Sequence, residues 1–163
     1  MHLCVDAYLR LPPDVPHPEI RYTDDELKGH GMTTIRILLV DDSAQVRQDL
    51  RSMLALWEGI DVTGEAANGQ EGVALEEALS PDVVLMDLAM PVMDGFEATR
   101  RIKARRPGCR VVALTVYASD EDRRRATLAG MDAFVVKGAP VATLMECLRG
   151  RRSDTETHTG GAI

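Results

Sequence analysis

Residues 82–95 read DVVLMDLAMPVMDG. The first half is an apolar run of strand length, with two adjacent valines, and it ends on an acid, Asp87. The second half carries Pro91 and Gly95, which interrupt regular structure before the amphipathic stretch FEATRRIKARR (96–106) begins. A buried strand, a loop and a helix in that order form one unit of an alternating chain, so the flanking sequence should repeat it.

It does so on both sides. Upstream, IRILLV (35–40) is a second buried strand, followed by a helix expected from about Ser43 to Trp57 and closed by Gly59. DVTGEAA (61–67) is a strand weakened by Gly64, and Asn68 and Gly69 turn the chain into a helix ending near Ser80 and Pro81. Downstream, Pro107 and Gly108 stop the helix, and RVVALT (110–115) is the fourth strand. Ser119, with Asp122 three residues on, resembles a capping box for a helix that Gly130 ends. DAFVV (132–136) is the fifth strand, and Pro140 suits the first helical position of VATLMECLR (141–149). Parallel strands need crossover connections, so five strand and helix pairs predict a doubly wound α/β fold. One five-stranded parallel sheet would carry five helices on its two faces.

At 163 residues, with 45% apolar and 28% charged residues, the chain suits one globular domain with tails. The apolar runs are too short to span a bilayer, and the N-terminal sequence lacks a basic segment followed by an unbroken apolar stretch, so neither a membrane nor export is expected. Cys4, Cys109 and Cys147 are odd in number and show no CxxC spacing, so they read as reduced thiols, two of them core fillers, in a cytoplasmic protein. A net charge of −7 disfavours direct nucleic-acid binding. The basic clusters Arg100, Arg101, Lys103, Arg105, Arg106 and Arg123, Arg124, Arg125 read as solvated helix faces. Residues 1–31, with four prolines and no period, read as a poorly structured extension, and Met32 reads as a natural start. The folded domain is then 32–150, and the polar, Gly-rich residues 151–163 form a disordered tail.

In an open parallel sheet, ligands bind beyond the carboxyl ends of the strands, where strand order reverses. Polar residues fall at those ends: Asp41 and Asp42 after the first strand, Asp87 after the third, Thr115 after the fourth and Lys137 after the fifth. Singly, each acid suits a cap or turn, Lys137 an ion pair and Thr115 a strand. Together on one edge they point to chemistry. Three converging carboxylates repel one another unless a cation compensates, and Mg²⁺ prefers such oxygen ligands. All four histidines (His2, His17, His30, His158) lie in the extensions, which leaves no imidazole site in the core. A metal-carboxylate site with an ammonium and a hydroxyl suits phosphoryl transfer, with Asp87 as nucleophile, Lys137 pairing with the phosphoryl group and Thr115 hydrogen-bonding it.

The strings LLVDDS (38–43), VVLMDLAMPVMDG (83–95), LTV (114–116) and FVVKG (134–138), at these spacings, resemble the receiver domain of bacterial response regulators over roughly residues 34–150. The resemblance implies a strand order of 2-1-3-4-5 and Mg²⁺-dependent phosphorylation of Asp87, with Mn²⁺ as a substitute. It implies metal ligands at Asp42, Asp87 and the backbone carbonyl of Ala89, with Asp41 assisting through water. Thr115 and Phe134 would form a switch that alters the surface of the last helices. Ala89 and Tyr117 would flank the hydrolytic water without orienting it, which favours a long-lived phosphorylated form. The partner would be a sensor histidine kinase or phosphotransfer protein, and a homodimer formed on phosphorylation is left open. Such a domain is a phosphoacceptor with its own autophosphorylation and autodephosphorylation chemistry rather than an enzyme.

LTV and VVKGAPVATLMECLR further resemble receivers attached to helix-turn-helix transcription factors. The alternative is therefore a receiver fragment of a DNA-binding regulator without its output domain. Gly138 stands where the family commonly has proline after the lysine. A cis bond there would cost about 2.5–4 kcal/mol, so trans is expected. Three rivals fare worse. An aspartyl phosphatase wants a second Asp where Ala89 stands, and a flavin carrier wants a phosphate-binding loop where VDDSAQ stands. A module that keeps the fold but takes no phosphate leaves the five polar residues unexplained.

Overall fold

The computed structural model describes residues 34–116 and 119–150. The expected extension at 1–31, the start at Met32, the tail at 151–163 and Tyr117 lie outside them. The elements run β1 (Ile35–Val40), α1 (Ala44–Leu54), β2 (Ile60–Ala66), α2 (Gly69–Leu79), β3 (Val83–Met86), α3 (Gly95–Arg105), β4 (Arg110–Thr115), α4 (Asp120–Ala129), β5 (Ala133–Val136) and α5 (Val141–Arg149). The strands form one parallel sheet in the order β2-β1-β3-β4-β5.

The apolar runs become central strands because both of their faces are covered, and alternate residues serve opposite faces. Ile37, Leu39, Val83, Leu85, Val112, Leu114 and Val135 pack with Leu50 and Leu54 of α1 and Leu144, Met145 and Leu148 of α5. Leu38, Val40, Val84, Met86 and Val111 pack on the other face with Ala98 and Ile102 of α3. A smaller cluster of Leu88, Phe96, Ala113, Ala126 and Ala129 lies under α4. Cys109 is buried in the second cluster and Cys147 is half-buried against the first, both as free thiols. Among the described residues no helix is long and apolar enough to cross a membrane.

Helix starts follow side-chain chemistry. Ser43, Asn68, Asp94 and Ser119 each accept the N–H of the residue three positions on. Two helix ends depart from the sequence reading by more than fraying, and the weak second strand takes a definite form. α1 stops at Leu54 because the chain tightens into a turn, with Leu56 and Trp57 donating N–H to the carbonyls of Met53 and Leu54. Pro140 precedes α5 instead of opening it, because its ψ of 139° is extended. The weakness at Gly64 is a bulge, since the register moves from Ile37↔Val62 to Leu38↔Gly64 and leaves Thr63 unpaired.

The basic clusters are mostly engaged rather than simply solvated. Arg100 and Arg101 pair with Glu97, and Lys103 pairs with Asp132. Arg105 and Arg106 of the α3 end hold the buried Glu76 of α2 at 2.7 and 3.0 Å. A carboxylate removed from water needs such partners, and the sequence does not show that Glu76 is buried.

Candidate functional site

The strand order reverses between β1 and β3, which lie side by side with Val40 opposite Met86. Asp41 and Asp42 leave β1 and Asp87 leaves β3 at this point, where the Asp87 N–H donates to the Val40 carbonyl at 2.8 Å. The two strand ends bring one oxygen from each of the three carboxylates within 4.8 Å of one another. Asp41 is 2% exposed and Asp87 6%, whereas Asp42 stands open to solvent.

Asp41 is held from four directions. Its N–H donates to Ala66 of β2 at 3.1 Å, and its carbonyl accepts from Arg47 Nη1 of α1 at 2.7 Å. Its Oδ1 accepts the Ser43 N–H at 3.0 Å, and its Oδ2 meets Lys137 Nζ at 2.5 Å. Lys137 also reaches Asp87 Oδ1 at 3.1 Å. The lysine sits where β5 ends, and its N–H donates to the carbonyl of the buried Thr115 at 2.7 Å. Thus Asp41, Asp42, Asp87, Thr115 and Lys137, read from the sequence as one set, are gathered at one edge of the sheet.

Burial raises the Asp87 pKa, and the Asp41 charge adds to this, while the Lys137 ammonium works against it without cancelling it. For Lys137, burial acts to lower the pKa, but the Asp41 and Asp87 carboxylates outweigh it and hold the ammonium above its ordinary value. The lysine is therefore firmly protonated between two acids. The donor set is all oxygen, which fits a hard dication such as Mg²⁺ better than a soft metal, and Asp42 adds a carboxylate that no cation among the described residues pairs with.

The loop after Asp87 has its own constraints. A Cβ on Gly95 would lie 2.1 Å from the Asp87 carbonyl oxygen, so only glycine lets α3 begin against the loop that follows Asp87. Val92 has φ +69°, and Met93 donates to the Pro91 carbonyl at 2.8 Å, a tight three-residue turn that a β-branched residue rarely adopts. Ala89 is exposed in this loop, two residues after Asp87. All peptide bonds among the described residues are trans, including that between Lys137 and Gly138.

On the other side of the pocket, Phe134 of β5 is half-buried against the cluster under α4. The Arg123 guanidinium lies over its ring, 4.7 Å from the centroid. Two residues on, Arg125 lies 4.0 Å from the Phe96 centroid and 3.9 Å from Asp94. These contacts, and the hold of Arg47 on Asp41, were missed from the sequence. For Arg47 a signal existed: side chains near a helix start lean toward the N-terminus, here toward the acidic loop. For the stacked arginines there was none, because both rings come from other elements.

The response regulator receiver domain family matches residues 37–149. The chain is similar to the response regulator protein VraR of Staphylococcus aureus, at 40% identity over 71% of this chain and 56% of that protein. It thus spans about half the length of the curated relatives it matches. Among solved structures, a LuxR-family two-component response regulator from Aurantimonas is similar at 35% identity and a TM-score of 0.68, covering 73% of this chain and 88% of that one. The response regulator domain of Thermotoga maritima CheB is similar at 29% identity and a TM-score of 0.61, covering 71% and 90%.

Proposed function

The chain belongs to the family of response regulator receiver domains, and on that premise we propose that Asp87 is its phosphoacceptor. An Asp87 carboxylate oxygen attacks the phosphorus of a phosphohistidine on a sensor kinase or phosphotransfer protein, or of a small phosphodonor. The bond to the donor breaks and an acyl phosphate forms. Lys137, already between the acids, pairs with the incoming phosphoryl group, and the Thr115 hydroxyl hydrogen-bonds it. Asp42, Asp87 and the Ala89 carbonyl would hold Mg²⁺ or Mn²⁺, with Asp41 assisting through water. The ion would neutralise charge on the phosphoryl oxygens. The domain accepts and loses a phosphoryl group by its own chemistry but turns over no substrate as an enzyme does, and its setting is cytoplasmic.

The observation that carries this reading is the cluster of three carboxylates at the strand-order reversal, two of them bridged by one half-buried ammonium. Incubation with acetyl phosphate and Mg²⁺ should add one phosphoryl group at Asp87, detected by intact mass. Labelling that persists in Asp87→Asn or in excess chelator would overturn it. Ala89 and Tyr117 offer no carboxylate or amide to orient a hydrolytic water, so the phosphorylated form should decay slowly, and faster in Ala89→Asn with Tyr117→Glu. A second reading, as the phosphorylated part of a longer DNA-binding regulator, is supported by the likeness to VraR, of which the match covers 56%. A helix-turn-helix reading frame continuing from this sequence would test it.

A further inference from the structure

Asp42 is the exposed member of the acidic cluster, and among the described residues no hydrogen bond or ion pair holds its side chain. Its direction is set by the peptide that precedes it. The oxygen of that peptide, the Asp41 carbonyl, accepts the 2.7 Å hydrogen bond from Arg47 Nη1. Arg47 is only 16% exposed and is itself anchored, because its Nε lies 3.4 Å from Glu65 Oε2. Glu65 belongs to β2 and is fixed again by Arg51 Nε at 2.6 Å. A line of contacts thus runs from β2 through Glu65 and Arg47 to the peptide joining Asp41 and Asp42.

Resting on the reading of the pocket as a cation site, we propose that Arg47 is a positioning residue for the Asp42 carboxylate, holding the Asp41–Asp42 peptide so that Asp42 faces the cluster. The sign of its effect separates this role from plain electrostatics. A guanidinium beside an acidic pocket repels a dication, so removing it should tighten cation binding if charge were all it supplied. If it supplies geometry, removing it weakens binding, as losses around metal ligands do.

The test is Mn²⁺ titration of the full chain, followed by the spin-resonance signal of the free ion, for the wild type, Arg47→Met and Arg47→Lys. Both variants should raise the Mn²⁺ dissociation constant roughly tenfold, the lower end of the usual loss when support around a ligand is removed. Arg47→Lys keeps the charge and loses the two-pronged reach, so an equal weakening isolates geometry. The Asp42 amide resonance of the metal-free variants should also move. An unchanged or tighter constant in Arg47→Met overturns the proposal, as does full retention in Arg47→Lys should Arg47→Met not fold. Binding that is absent in the wild type, or undiminished in Asp42→Asn, overturns the pocket reading itself.

Discussion

On the β1 and β3 side of the pocket every residue of β3 is buried, and α3 buries Gly95, Phe96, Ala98, Thr99 and Ile102. At the α4 and β5 edge α4 buries only Ala126 and Ala129, β5 buries only Val135, and Leu128 is 85% exposed, although the adjoining β4 is buried from Val111 to Thr115. Arginines laid over Phe134 and Phe96 take the place of large apolar side chains there. An exposed cation over a ring contributes about 0.5–1 kcal/mol, whereas a buried Leu or Ile contributes several times as much. The carboxylates sit on the half whose packing resists displacement, and the neighbouring half is held by contacts weak enough to be exchanged. Elements of low local stability are the ones that move in switching, so α4 and β5 are where a charge added at Asp87 would register.

The largest effect that could break this contrast is in the packed half. Ile102→Ala should lose about 2–5 kcal/mol in urea unfolding, whereas Leu128→Ala in α4 should stay within about 0.5 kcal/mol of the wild type. Equal losses would erase the difference. Next, Gly95→Ala should lose roughly 1–3 kcal/mol, because the Asp87 carbonyl must move to admit the methyl group. It should also slow acetyl phosphate labelling, and a neutral result would show that the loop has slack.

A smaller effect concerns the site's own tension. The raised Asp87 pKa means that the folded state holds the proton more tightly than the unfolded chain. This group's contribution to stability therefore falls as pH rises from the ordinary aspartate value through the raised one. Asp87→Asn should accordingly stabilise the metal-free protein at pH 7, by roughly 0.5–2 kcal/mol, a common gain when a functional site is relieved. The gain should vanish below the ordinary aspartate range, and thermal unfolding at both pH values would check it. Smallest of all, Arg123→Ala should lose about 0.5–1 kcal/mol, yet it should alter the Phe134 ring resonances. Unchanged resonances would mean that the arginine does not restrain the ring.

The same contrast explains what the sequence could reveal. IRILLV and RVVALT mark β1 and β4 to the residue because a strand covered on both faces is apolar along most of its length. The five site residues were legible because each interrupts or follows such a run. Ser43, Asn68 and Ser119 announced helix starts through local chemistry, whereas Pro140 misled by one residue because proline is tolerated on either side of a helix start. Glu76 with Arg105 and Arg106, Phe134 with Arg123, and Gly95 against Asp87 depend on pairs distant in sequence or on close backbone approach, and neither leaves a periodic trace.

The most direct measurement is amide shift mapping of the ¹⁵N-labelled chain before and after phosphorylation with acetyl phosphate and Mg²⁺. Shifts should appear at the pocket and extend through Thr115 into α4 and β5, Phe134 included, while α2 and the body of α3 stay nearly unmoved. Changes confined to the pocket, or spread evenly through α2 and α3, would contradict a signal carried by the weakly packed half.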